Sequence, residues 1–103
     1  MRDGAFRLDD IDFEEADTIT FPFGAWVGAG QTISLAEVTV SVASGADGTP
    51  EAMRVGAAQV QGSSVLQAVM GRVVGVDYKL RCKATRSDGK VRVAAYLLKV
   101  VRL

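Results

Sequence analysis

The feature that most restricts how this chain can fold is a strict alternation near its C-terminal end. Tyr78, Leu80, Cys82 and Ala84 share one parity; Lys79, Arg81, Lys83 and Thr85 share the other. Successive side chains of a β-strand point to opposite faces, so this run is a strand with one buried and one charged face. Ser87-Asp88-Gly89-Lys90 follows, with the Asp-Gly pair that favours a tight reversal. Residues 91–102 then alternate again, with Val91, Val93, Ala95 and Leu97 against Arg92, Ala94, Tyr96 and Leu98. The stretch predicts an antiparallel hairpin. Both faces of its second strand are apolar toward the end, which predicts that its outer side is covered, by the N-terminal residues or by another subunit.

The rest of the chain reads as further short strands. Thr18-Ile19-Thr20-Phe21 is β-branched and aromatic, and Pro22, lacking an N–H, ends its ladder. Residues 23–30 form a glycine-punctuated loop carrying Phe23 and Trp26. Trp26 has two readings, a plug at one end of the core or an exposed anchor in an interface. In residues 32–43, Val38, Val40 and Val42 alternate with Thr39, Ser41 and Ala43, whereas Ile33 and Leu35 have the opposite parity. A bulge or kink near Ala36 and Glu37 is expected from that change of phase. Residues 44–50 are rich in turn formers, and Met53-Arg54-Val55 is expected as a short edge strand. Residues 57–61 and 63–70 flank Gly62. The second run has a helix-like composition, but glycines bound it closely and strand is the reading.

About seven short strands in one chain of 103 residues fit one domain with a single core. The expected class is all-β, an immunoglobulin-like β-sandwich of about seven strands with an extended acidic N-terminal arm. Residues 1–17 form that arm and residues 18–103 the sandwich. In such sandwiches a Tyr shortly before a buried Cys often bonds back to the chain at a corner, and Tyr78 is the candidate. Cys82 is the only cysteine, so no internal disulfide forms and it reads as a small buried apolar group.

Charge is balanced overall, which argues against nucleic acid as a partner, but it is unevenly spread. Asp3, Asp9, Asp10, Asp12, Glu14, Glu15 and Asp17 crowd the first twenty residues, and most cations lie in the last third. Either the arm is solvated, or it docks on a basic face, its own or a neighbouring copy's. No apolar run approaches the ~20 residues of a membrane-spanning helix, and no basic-then-apolar leader opens the chain, so neither membrane nor export is expected.

Catalysis finds little purchase. With no histidine, the commonest general base and metal ligand is missing. The early acids lack the spacing of a calcium loop, and Gly28-Ala29-Gly30 does not begin a phosphate-binding glycine motif. No enzyme activity, cofactor or metal is expected.

The segment Phe21-Pro22-Phe23-Gly24-Ala25-Trp26-Val27-Gly28-Ala29-Gly30-Gln31-Thr32-Ile33 resembles a pattern in small tailed-phage structural proteins. There, an aromatic-rich tryptophan segment ending in Gly-x-Thr-Ile precedes a Val/Thr strand. Gly71, Gly75, Tyr78-Lys79-Leu80-Arg81-Cys82 and Thr85-Arg86-Ser87-Asp88-Gly89-Lys90 are similar to the ending of the same pattern. From about residue 18 onward the chain resembles the phage fiber-tail adaptors. It departs in its acidic N-terminus, in Arg86 where the pattern has Thr or Ser, and in Lys90 where it often has Arg.

The resemblance implies a virion protein at the neck or tail, assembled in the host cytoplasm. Its partners would be the portal or connector, the tail tube or nozzle, the fibers, and other copies in a ring. A capsid decoration protein and a free immunoglobulin-like binding module are the alternatives. Expected interface residues are Phe21, Phe23 and Trp26, the arm residues Asp9, Asp10 and Asp12, and Arg92 and Tyr96 on the last strand.

Overall fold

The computed structural model describes residues 6–103. Two short strands, β1 (Phe6–Arg7) and β2 (Ile11–Asp12), precede β3 (Ala16–Pro22). A single helical turn, α1 (Gly24–Val27), leads to the long β4 (Ile33–Ser44). A 3₁₀ turn at Pro50–Met53 is followed by β5 (Gln59–Gln61), β6 (Ser64–Met70), β7 (Asp77–Arg86) and β8 (Val91–Val101). The chain is a two-layer β-sandwich, as the alternation predicts. One sheet runs β1-β8-β7-β4, with β2 also on β8, and the other runs β3-β6-β5.

The predicted hairpin is the centre of the larger sheet. β7 and β8 pair antiparallel from Asp77↔Lys99 to Thr85↔Val91. Gly89 takes φ +91 in the turn, a left-handed conformation that glycine adopts without steric cost. Tyr78, Leu80, Cys82 and Ala84 are fully buried, and they meet Ile19, Phe21, Val65 and Val69 across the sandwich. Burial of these apolar faces is the main force holding the layers together.

Three sequence expectations shift. The phase change in β4 lies earlier than Ala36 and Glu37: register jumps between Ile33 and Leu35, leaving Ser34 as the extra residue. That bulge turns Ile33 into the core and leaves Leu35 61% exposed. Met53-Arg54-Val55 is not an edge strand. Pro50 opens a 3₁₀ turn, Met53 is fully buried, and Arg54 makes only an isolated bridge to Val69. The loop after Pro22 contains one helical turn, closed by the Val27 N–H donating to the Phe23 carbonyl at 2.8 Å. The 63–70 run is strand throughout most of its length, paired to both β3 and β5.

The described N-terminal residues run along the free edge of β8 rather than across its outer face. β1 and β2 pair parallel with it, and Ile11 is buried. Further on, residues 12–15 cross Gly71 so closely that a Cβ there would lie 2.4 Å from the Asp12 carbonyl oxygen. Gly71 also donates its N–H to the Glu15 carbonyl at 2.8 Å. Only glycine leaves room for this crossing.

At the same end of the sandwich, Tyr78 performs the corner role assigned to it. Its hydroxyl donates to Asp47 at 2.8 Å and accepts the Val73 N–H at 3.2 Å. Arg72 grips the same Asp47 from Nε at 2.9 Å and Nη2 at 3.2 Å. Arg72, then the Thr49 N–H, hold the Asp47 carboxyl well below the usual carboxylate range. Two loops, around 47–49 and 72–73, are thereby tied to β7.

Candidate interface site

The opposite end of the sandwich gathers most of the side chains expected at an interface. β3 carries Phe21 into the core, where its ring stacks on Tyr96 of β8 at 4.9 Å. Phe23 lies just beyond the end of β3, held by its N–H to the Ser63 carbonyl at 2.9 Å. The α1 turn then places Trp26 edge-on to Phe23, 5.9 Å between ring centroids. Phe21 and Phe23 are buried within the chain itself, while Trp26 and Tyr96 are half-buried and Arg92 is exposed.

Two guanidinium groups flank the indole. Arg86 lies 5.1 Å from the Trp26 ring centroid and Arg92 5.6 Å. Such contacts gain from the negative face of the ring. The two arginines differ in their other partners. Arg86 donates to both Asp88 oxygens, at 2.9 and 2.8 Å, and to the Trp26 carbonyl at 2.7 Å. This pairing holds the Asp88 carboxyl down to about 2. Arg92 makes no ion pair among the described residues. Ser87 fastens the hairpin tip to the preceding loop: its N–H donates to the Thr32 carbonyl at 2.7 Å, and its hydroxyl donates to Gln31.

The acidic residues of the expected set lie elsewhere. Asp9 and Asp10 are exposed beside β8. Asp9 rims a shallow groove of about 270 Å³ that Leu8, Ile11, Asp17, Thr18 and Leu98 also line. Asp12 accepts the Leu103 N–H at 2.8 Å and the Glu14 N–H at 2.9 Å, bonds that lower its pKa. The structure therefore brings Phe21, Phe23, Trp26, Arg92 and Tyr96 together and sets Asp9, Asp10 and Asp12 apart from them.

Arg86 is the member of this site that sequence reasoning passed over. The only signal was its place in the turn where the resembled pattern carries Thr or Ser. Tyr, Trp and Arg are the residue types that dominate protein-contact energetics, and a half-buried Trp beside an unpaired Arg is suited to such a contact. The one thiol is no rival site: Cys82 is fully buried, and burial pushes it up to about 12.

A family model for the podophage GP4 fiber-tail adaptor protein gp77 matches residues 12–99. The chain belongs to this family. Membership supports a role as a phage tail adaptor, a structural component of the virion. The match takes in all of the sandwich strands from β3 to β7 and most of β8, together with the whole aromatic end. No curated protein matches the chain. No helix among the described residues is long and apolar enough to cross a membrane.

Proposed function

We propose that this adaptor joins the connector or tail to the fibers at the virion neck, in several symmetric copies, entirely through protein–protein contacts. The family match over residues 12–99 carries the reading. The Trp26–Arg92 end supports it, because the α1 turn offers an aromatic ring beside a β8 cation that makes no ion pair among the described residues. In this reading residues 18–103 supply the sandwich domain, and residues 1–17, whose strands β1 and β2 line the β8 edge, supply a contact segment. Assembly takes place in the host cytoplasm, and no chemistry is required of the chain.

The test is binding of the purified chain to the portal, tail-tube or nozzle, and fiber proteins of its own genome. The expected result is a stable complex with at least one of them. Arg92→Ala and Trp26→Ala should weaken that complex while a folded sandwich remains. A chain that binds none of them, or that binds the capsid lattice instead, contradicts the proposal.

A further inference from the structure

We infer that the outer face and turn of the β7–β8 hairpin receive the acidic 9–17 segment of a second copy of this chain. The inference deepens the multi-copy reading above and rests on it for the presence of several copies. It starts from how ion pairs are distributed. Among the described residues, Asp77, Glu51, Asp47, Glu37 and Asp88 each meet a cation: Arg7, Arg54, Arg72, Lys83 and Arg86 respectively. The acids left without one are Asp9, Asp10, Asp12, Glu14, Glu15 and Asp17, a single short segment. The cations left without one are Lys79, Arg81, Lys90, Arg92, Lys99 and Arg102, all on the hairpin or directly after it.

The fold keeps most of these two sets apart: only Arg102, whose guanidinium lies 5.1 Å from the Phe13 ring centroid, stands beside the acidic segment, close enough to add to the Leu103 N–H bond in lowering the Asp12 pKa. Backbone bonds Leu8 N–H to Leu97 O at 2.8 Å, Phe13 N–H to Val101 O at 2.9 Å and Gly71 N–H to Glu15 O at 2.8 Å pin the acidic segment at the sheet edge. The cations Lys79, Arg81 and Lys99 instead stand on the outer face, where β7 and β8 also display Leu97 opposite Lys79 and Val93 opposite Lys83. Among the described residues no ion pair joins the two sets within one chain. Between copies they are complementary, and apolar Val93 and Leu97 add contact area that solvent would otherwise cover. Because donor and receiver are different surfaces, the contact suits head-to-tail repetition.

Sedimentation velocity on the full chain tests this, at about 0.05 M and about 0.3 M salt, since screening strengthens over that range. The wild type should self-associate about tenfold more weakly at the higher salt, the effect of a few exposed ion pairs acting together. A variant with Asp9→Lys, Asp10→Lys and Asp17→Lys should be monomeric alone, and so should one with Lys79→Glu, Arg81→Glu and Lys99→Glu. Mixing the two should restore association, because each reversed surface then meets its complement. Should a triple variant fail to fold, Asp9→Lys and Arg81→Glu singly carry the same exchange with a smaller effect. A wild type that stays monomeric at low salt, or association untouched by either reversal, overturns the inference. If such a monomer still binds a tail or fiber protein, the contact between copies falls and the adaptor function stands.

Discussion

The two ends of the sandwich use the same ingredients to opposite effect. Each holds an arginine, an aspartate and an aromatic ring. At the corner, Tyr78 is fully buried, the Asp47 side chain is 4% exposed, and every polar group meets a partner across a long stretch of chain. At the aromatic end, Trp26 is half-buried, Arg86 pairs with an aspartate only two residues away, and Arg92 pairs with no acid among the described residues. A closed network stabilises one fold, because removing any member leaves buried groups unsatisfied. An open one leaves a cation and an aromatic face for something else. In the proposed function the corner serves stability and the aromatic end serves contact.

Substitution of the two aromatic groups gives the largest expected contrast. Tyr78→Ala removes a fully buried ring and should cost about 3–5 kcal/mol, whereas Trp26→Ala should cost less, about 2–3 kcal/mol, because that indole is only partly buried against the core. Chemical denaturation of both variants checks the order. Equal losses would erase the distinction.

The polar half of the contrast is smaller. Tyr78→Phe keeps the ring but strips Asp47 and the Val73 N–H of a partner, and should cost about 1–3 kcal/mol. Acid sharpens the point. Arg72 holds the folded Asp47 pKa below its unfolded value of about 4, so its contribution is full above that pH and is lost as pH falls through the folded value. Stability measured from neutral pH downward should fall below about pH 4, and Asp47→Asn should flatten that fall. The Arg86–Asp88 pair also depresses its carboxyl, yet its partners are two residues apart and remain close in the unfolded chain. Asp88→Asn should therefore change the acid slope less.

The pattern in the sequence was strongest where neighbours along the chain decide the structure. Alternation from Tyr78 to Ala84 and the Asp-Gly turn were enough to specify the hairpin and its buried face. Local pattern was not enough where distant residues decide. Ile33 and Leu35 share a parity, and only the Ser34 bulge separates their fates. Met53-Arg54-Val55 imitates a strand, and Pro50 together with burial of Met53 in the core makes it a turn. Two-residue strands such as β1 and β2 are too short to show any period. Arg86 joins the site through the carbonyl of a residue 60 positions away, a contact that no spacing rule announces.

The smallest expected effect on stability belongs to Arg92. It is exposed and pairs with no acid among the described residues, so Arg92→Ala should shift stability by no more than about 0.5 kcal/mol. Its effect should appear in partner binding instead, measured by titration against whichever tail or fiber protein the wild type captures. A large loss of stability with binding intact would place Arg92 among the structural residues.

The adaptor function is tested most directly by imaging intact particles of the source phage and locating this chain in them. The account predicts a ring of symmetric copies at the junction of portal and tail, with the Trp26–Arg92 end against another virion protein. Copies spread over the capsid lattice, or none in the particle, would contradict it.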